Sequence, residues 1–111
     1  MGRERRTAER YVIGSLLMDL GGMVHETLDV SKCAVAVLRQ STCDYSKLNV
    51  PARFFSETQP ELNQSIARLS YIAQRSGVIV LGYTADNPEW EHVLQTHDVR
   101  FDMKQLEDVF G

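Results

Sequence analysis

An α/β domain is the fold that this sequence predicts: a small, largely parallel three-stranded sheet with about four helices, packed in two or three layers. Three observations carry the prediction. Ile13, Leu16, Leu17, Leu20 and Val24 follow the spacing of one helical face. Val78 to Leu81 is an unbroken aliphatic run of the kind buried on both faces of a parallel sheet. Thr58-Gln59-Pro60-Glu61 and Asp86-Asn87-Pro88-Glu89 each join a capping residue to a proline and an acid, which is how helices start.

Along the chain, the first helix begins near Thr7 and is open to a break at Gly21-Gly22, because glycine costs helix propensity. Lys32 to Leu38, with its alternating valines, reads as a buried strand. Ser41 to Phe55 has no sustained period and contains Pro51, so residues 41–56 read as one long connection. A second helix starts at Thr58, carries the seam Leu62, Ile66, Leu69 and Ala73, and ends at Gly77. Val78 to Leu81, running into Gly82-Tyr83-Thr84, is the expected central strand. A third helix follows Pro88 and turns Trp90, Val93 and Leu94 inward. Val99-Arg100-Phe101 alternates as a short strand, and Asp102 with Gln105 starts a last helix through Leu106, Val109 and Phe110.

The whole of 1–111 is expected to form a single domain, with residues 1–6 a frayed basic terminus. Its composition, 43% hydrophobic and 24% charged, is that of an ordinary globular domain and excludes a disordered chain. Met1 to Arg10 has no apolar run, and Asp19, Gly21 and Gly22 interrupt the next apolar stretch, so neither a secretory signal nor a membrane span is expected. A cytoplasmic location follows. Cys33 and Cys43 fit neither a CxxC pair nor a zinc pattern and are expected as reduced thiols, Cys33 buried and Cys43 exposed. Charge is uneven: residues 1–10 hold four arginines against two glutamates, whereas residues 81–111 hold seven acids against two bases. Such opposed ends can attract each other between copies, or the acidic third can meet a basic protein.

No nucleophile elbow, Walker loop, HExxH or dinucleotide fingerprint is present. His92 and His97 are five apart, wrong for a shared metal on a helix. No catalytic residue, metal or cofactor is therefore expected. The strand-to-helix turn Gly82, Thr84, Asp86 and Asn87 is the ligand candidate, since α/β sheets bind ligands at such edges, although Asp86 and Asn87 can cap the helix themselves. Arg3, Arg5 and Arg6 form a candidate nucleic-acid arm, which the net charge of −3 and the interleaved Glu4 and Glu9 disfavour. Gly14, Met18 and Gly21 form a second helical strip, a candidate for self-association into a homo-oligomer.

Val78 to Pro88, with the predicted order of helices and strands, is similar to the latter half of kink-turn RNA-binding ribosomal domains. Their recognition motif would fall on Leu62 to Arg68, where Asn63 and Arg68 agree and the glycine is missing. Ala8 to Asp19 also resembles the first helix of replicative-helicase N-terminal domains. Neither resemblance assigns the chain to a family. The function expected is a non-enzymatic regulatory or adaptor role through protein contacts. The alternative is a nucleotide or nucleic-acid binder using the 82–87 turn or the N-terminal arginines.

Overall fold

From Leu16 to Leu20 the side chains alternate: Leu16, Met18 and Leu20 are buried, and Leu17 and Asp19 between them are half-exposed. That is the two-residue period of a strand, and it decides against the first helix. Val24, on the predicted helical stripe, is 47% exposed, while Met18, off the stripe, is fully buried. Gly21 and Gly22 have φ of +61° and +97°, the pair of left-handed residues that a tight two-residue hairpin needs. They reverse the chain between two strands.

The computed structural model describes residues 9–99. It contains strands β1 (Leu17–Leu20), β2 (Met23–Val30), β3 (Ala34–Leu38), β4 (Ala52–Phe55), β5 (Gln64–Arg75) and β6 (Val78–Ala85), followed by helix α1 (Trp90–Thr96). All pairs are antiparallel, in the order β1-β2-β3-β6-β5-β4, and β4 returns to β1 to close a barrel. The predicted parallel α/β sandwich with about four helices is thereby overturned, and with it the fold on which the ribosomal and helicase resemblances rested.

The second predicted helix is also a strand. Its start signal is spent on a single 3-10 turn at Pro60–Leu62, where Ser56 Oγ accepts from the backbone N–H groups of Thr58 and Gln59 at 3.2 and 3.1 Å. β5 then pairs with β4 on one side and β6 on the other. Irregularities between Ala67 and Ser70 and between Tyr71 and Ala73 shift its register, and Arg68 sits at φ +58° in the first. Each shift interrupts the alternation, so a bulged strand does not read as one in sequence. Gly77, read as a helix end, instead turns the β5–β6 hairpin with Ser76, at φ +82° and +49°.

The strand expected at Lys32–Leu38 is β3. The run Val78–Leu81 opens β6, with Ile79 and Leu81 fully buried and Val78 and Val80 only half-buried, since the barrel has an inside and an outside. Ala52–Phe55, inside the expected long loop, forms β4 and carries the fully buried Phe54. The cysteines are reversed: both are free, but Cys33 is exposed and Cys43 is half-buried against the core. The third helix is found, with Trp90 and Leu94 buried. It covers the barrel by stacking Trp90 on Phe54, with ring centroids 5.4 Å apart, while Tyr83 meets Phe54 edge-on at 5.1 Å. Val99 is helical, and the remainder of the predicted strand Val99–Phe101 and the last helix lie outside the described residues. Among those described, no helix is long and apolar enough to cross a membrane.

Gly21→Ala separates the two folds. In a helix it would stabilise by about 1 kcal/mol. Here its Cβ would sit 3.2 Å from Val50 Cβ at φ +61°, so a loss of about 1–2 kcal/mol in urea unfolding is expected.

Candidate functional site

Ahead of β1 the chain is pinned to β2 by one two-way bridge: Tyr11 N–H donates to Val30 O at 2.7 Å, and Val30 N–H donates to Tyr11 O at 2.9 Å. The bridge sets Arg10 beside the end of β2, where its guanidinium meets Asp29 Oδ1 at 2.6 Å. Asp29 is available because β2 is irregular. His25 is buried and alternation would turn Thr27 and then Asp29 inward, but the register shifts between Thr27 and Asp29. Val30 takes the interior place and Asp29 faces the rim, a common use of a bulge next to a site.

The turn that follows is built around the buried Ser31. Its N–H donates to Ala34 O at 2.7 Å, and its Oγ accepts from Ala34 N–H at 3.0 Å and Cys33 N–H at 3.3 Å. A hydroxyl holding its own turn is a familiar role for serine. Lys32 and Cys33 are left exposed at the tip. On the other side, Tyr83 N–H donates to Cys33 O at 3.0 Å and Ala34 pairs with Gly82, so the end of β6 lies against the same turn. Below it, Tyr83 Oη donates to the carbonyl of Ser31 and accepts from Trp90 Nε1–H at 2.7 Å. Burial holds the Tyr83 phenol above the ordinary value of 10.0, against the opposing effect of the Trp90 donor.

The candidates read from sequence fall as follows. Gly82 is buried under β5, where an added Cβ would stand 2.8 Å from Ser70 Oγ. Thr84 and Asp86 are exposed beyond it. Asn87 Oδ1 is used locally, accepting from Glu89 N–H at 2.9 Å, in keeping with a capped turn. Arg3, Arg5 and Arg6 lie outside the described residues. Gly14, Met18 and Gly21 share no surface strip: Met18 points into the barrel, Gly21 is in the β1–β2 turn and Gly14 precedes β1. Of the 82–87 candidates, the structure brings Gly82 against the β2–β3 turn, opposite Ala34. It adds Arg10, Asp29 and Ser31, whose only sequence signal was a pair of turn-forming residues between two alternating stretches.

The histidines stand elsewhere. His25 Nδ1–H donates to Met23 O at 2.9 Å, which leaves Nε2 to accept from Tyr45 Oη at 2.7 Å. His97 lies between Val93 O and Glu61 Oε2, each at 2.9 Å. Among the described residues no group of three or more His, Cys, Asp or Glu is disposed to hold a metal ion. The rim carries a guanidinium paired with a carboxylate, and the turn beside it an exposed lysine, groups of the kind that recognise oxyanions. Comparison with family models, with curated proteins and with solved structures finds no match for this chain.

Burial holds Tyr11, Tyr45 and Tyr83 all above 10.0. Unfolded tyrosines release protons near pH 10 while the native ones keep theirs, so the native state binds more protons and stability falls as pH rises beyond that point. Urea midpoints measured across alkaline pH are expected to drop from about pH 10 upward. Tyr83→Phe is expected to make that drop shallower.

Proposed function

We propose that this barrel is a non-catalytic binding module for a phosphate-bearing small ligand of the nucleotide class. The ligand is taken at the rim between the N-terminal arginine segment and the β2–β3 turn. The observation that supports the reading is the Tyr11–Val30 bridge, which sets Arg10 beside a built turn, held by Asp29. A chain advances at most about 3.6 Å per residue, so the Arg6 guanidinium is tethered within roughly 14 Å of the Arg10 backbone plus its own side chain. Two guanidinium groups at that reach can hold one or two phosphates, and Lys32 adds a third cation at the tip.

The charge of the rest of the chain favours a small ligand over a polymer. Asp86, Glu89 and Glu91 follow β6, and the net charge is −3. A long polyanion would meet those acids, whereas a ligand with one or two phosphates need only meet the arginines. A second reading, contact with a protein partner, is favoured by Tyr71 and Ile72 on β5, which are 52% and 55% exposed.

Titration of the full chain by calorimetry with mono- and dinucleotides, linear and cyclic, tests the proposal. Saturable binding is expected, weakened about tenfold or more by Arg10→Ala and by Arg6→Ala, and weakened by added salt. Absence of binding to any of these, with retention of single-stranded or duplex nucleic acid instead, would overturn it.

A further inference from the structure

We infer that occupancy of the rim is transmitted to helix α1 through the buried hydroxyl of Tyr83. The inference rests on the ligand reading above and assigns that site its means of regulation.

Tyr83 Oη has a donor on one side and an acceptor on the other: it accepts from Trp90 Nε1–H and donates to Ser31 O. Ser31, Tyr83 and Trp90 are 3%, 5% and 2% exposed, so water cannot replace either bond. A polar group buried without its partner is costly, so a displacement of the turn is either followed by the Tyr83 hydroxyl and Trp90 or opposed by them. The turn that would move is the one whose residues flank Arg10 and its partner Asp29.

A second link reaches the same helix from the residue after Arg10. Tyr11, next to Arg10, donates from its hydroxyl to Glu91 Oε2 at 3.2 Å and accepts from Gln95 Nε2 at 3.3 Å. Beyond the helix, Val12 N–H donates to Asp98 Oδ1 at 3.1 Å, and Val99 N–H donates to Val12 O at 2.8 Å. Both sides of the rim site are therefore bonded to α1 or to the segment just after it.

The helix itself is suited to respond. It has seven residues and no side-chain bond at its N-cap, and a helix so short has no stability of its own. Its docking is set by tertiary contacts, whose polar members include the Tyr83 and Tyr11 bonds and the His97–Glu61 pair at its C-cap. A ligand that clamps Arg10 against the turn holds both anchors at once and shifts the population toward docked α1. By linkage, loss of the Tyr83 hydroxyl must lower both the helix response and the affinity.

Trp90 is the only tryptophan in the chain, and its indole N–H is a member of the relay, so its emission reads the relay directly. The mono- and dinucleotides of the calorimetric panel are added to the full chain, and Trp90 emission and amide exchange across residues 90–96 are followed. In the wild type, a bound nucleotide is expected to shift the emission and slow α1 exchange about threefold or more; in Tyr83→Phe the nucleotide still binds, more weakly, but α1 exchange changes by less than about 1.5-fold. Tyr11→Phe removes the second link and is read in the same way, should Tyr83→Phe fail to fold. A ligand-free arm uses Ser31→Ala, which takes the acceptor from Cys33 and Ala34 N–H. It is expected to speed α1 exchange in the wild-type background and not in the Tyr83→Phe background. Binding that leaves emission and exchange unchanged, or an equal response with and without the Tyr83 hydroxyl, overturns the transmission and spares the binding reading. Failure of every nucleotide to bind the wild type overturns both.

Discussion

The pairing of β1 with β4, Leu17 to Leu20 against Phe55 to Ala52, is the constraint on which the rest of this structure depends. An open six-stranded sheet would present two edges of unpaired N–H and C=O groups, and here each edge satisfies the other. Closure also makes an interior. Phe54, on the closing strand, lies between Tyr83 and Trp90, so the barrel, its last strand and its helix share one aromatic cluster. Removal of that ring would leave α1 without the surface on which it is stacked.

The same cluster carries polar atoms that a purely apolar core would lack. The Tyr83 hydroxyl and Trp90 N–H are buried but satisfied, and what satisfies them is a main-chain carbonyl of the β2–β3 turn. The core is thereby tied to a rim that has a definite shape. Asp29 reaches that rim only through the irregularity in β2, and Arg10 only through the bridge at Tyr11. Backbone geometry therefore assembles the charged groups, and Arg10 and Asp29 pair with each other there.

Some of this was legible from residues alone. The strands expected at 32–38 and 78–81, which are β3 and the start of β6, announced themselves by β-branched runs, and α1 by Asn87, Pro88 and the spacing of Trp90 and Leu94. The first hairpin was misread because Leu16 and Leu20 fit a helical and a strand period equally; Met18 and the Gly21-Gly22 pair broke the tie only in space. β5 was misread because Leu62, Ile66, Leu69 and Ala73 keep helical spacing across two register shifts that no propensity reveals. Of the site, the 82–87 turn was visible, but the approach of Arg10 and Asp29 beside the β2–β3 turn was not.

Sequence by itself determined an apolar strand at 78–81, a helix after Pro88 and a basic segment at the start of the chain. Those properties are local: they follow from φ preferences, capping atoms and runs of one residue type, all read within a few positions. Tertiary structure alone decided that the strands are antiparallel, that the sheet closes on itself, and that residues as distant as Arg10, Asp29, Ser31 and Tyr83 meet at one rim. The reason is physical: strand pairing is satisfied by backbone groups common to every residue, so the choice of partner is made by burial and closure over the whole chain.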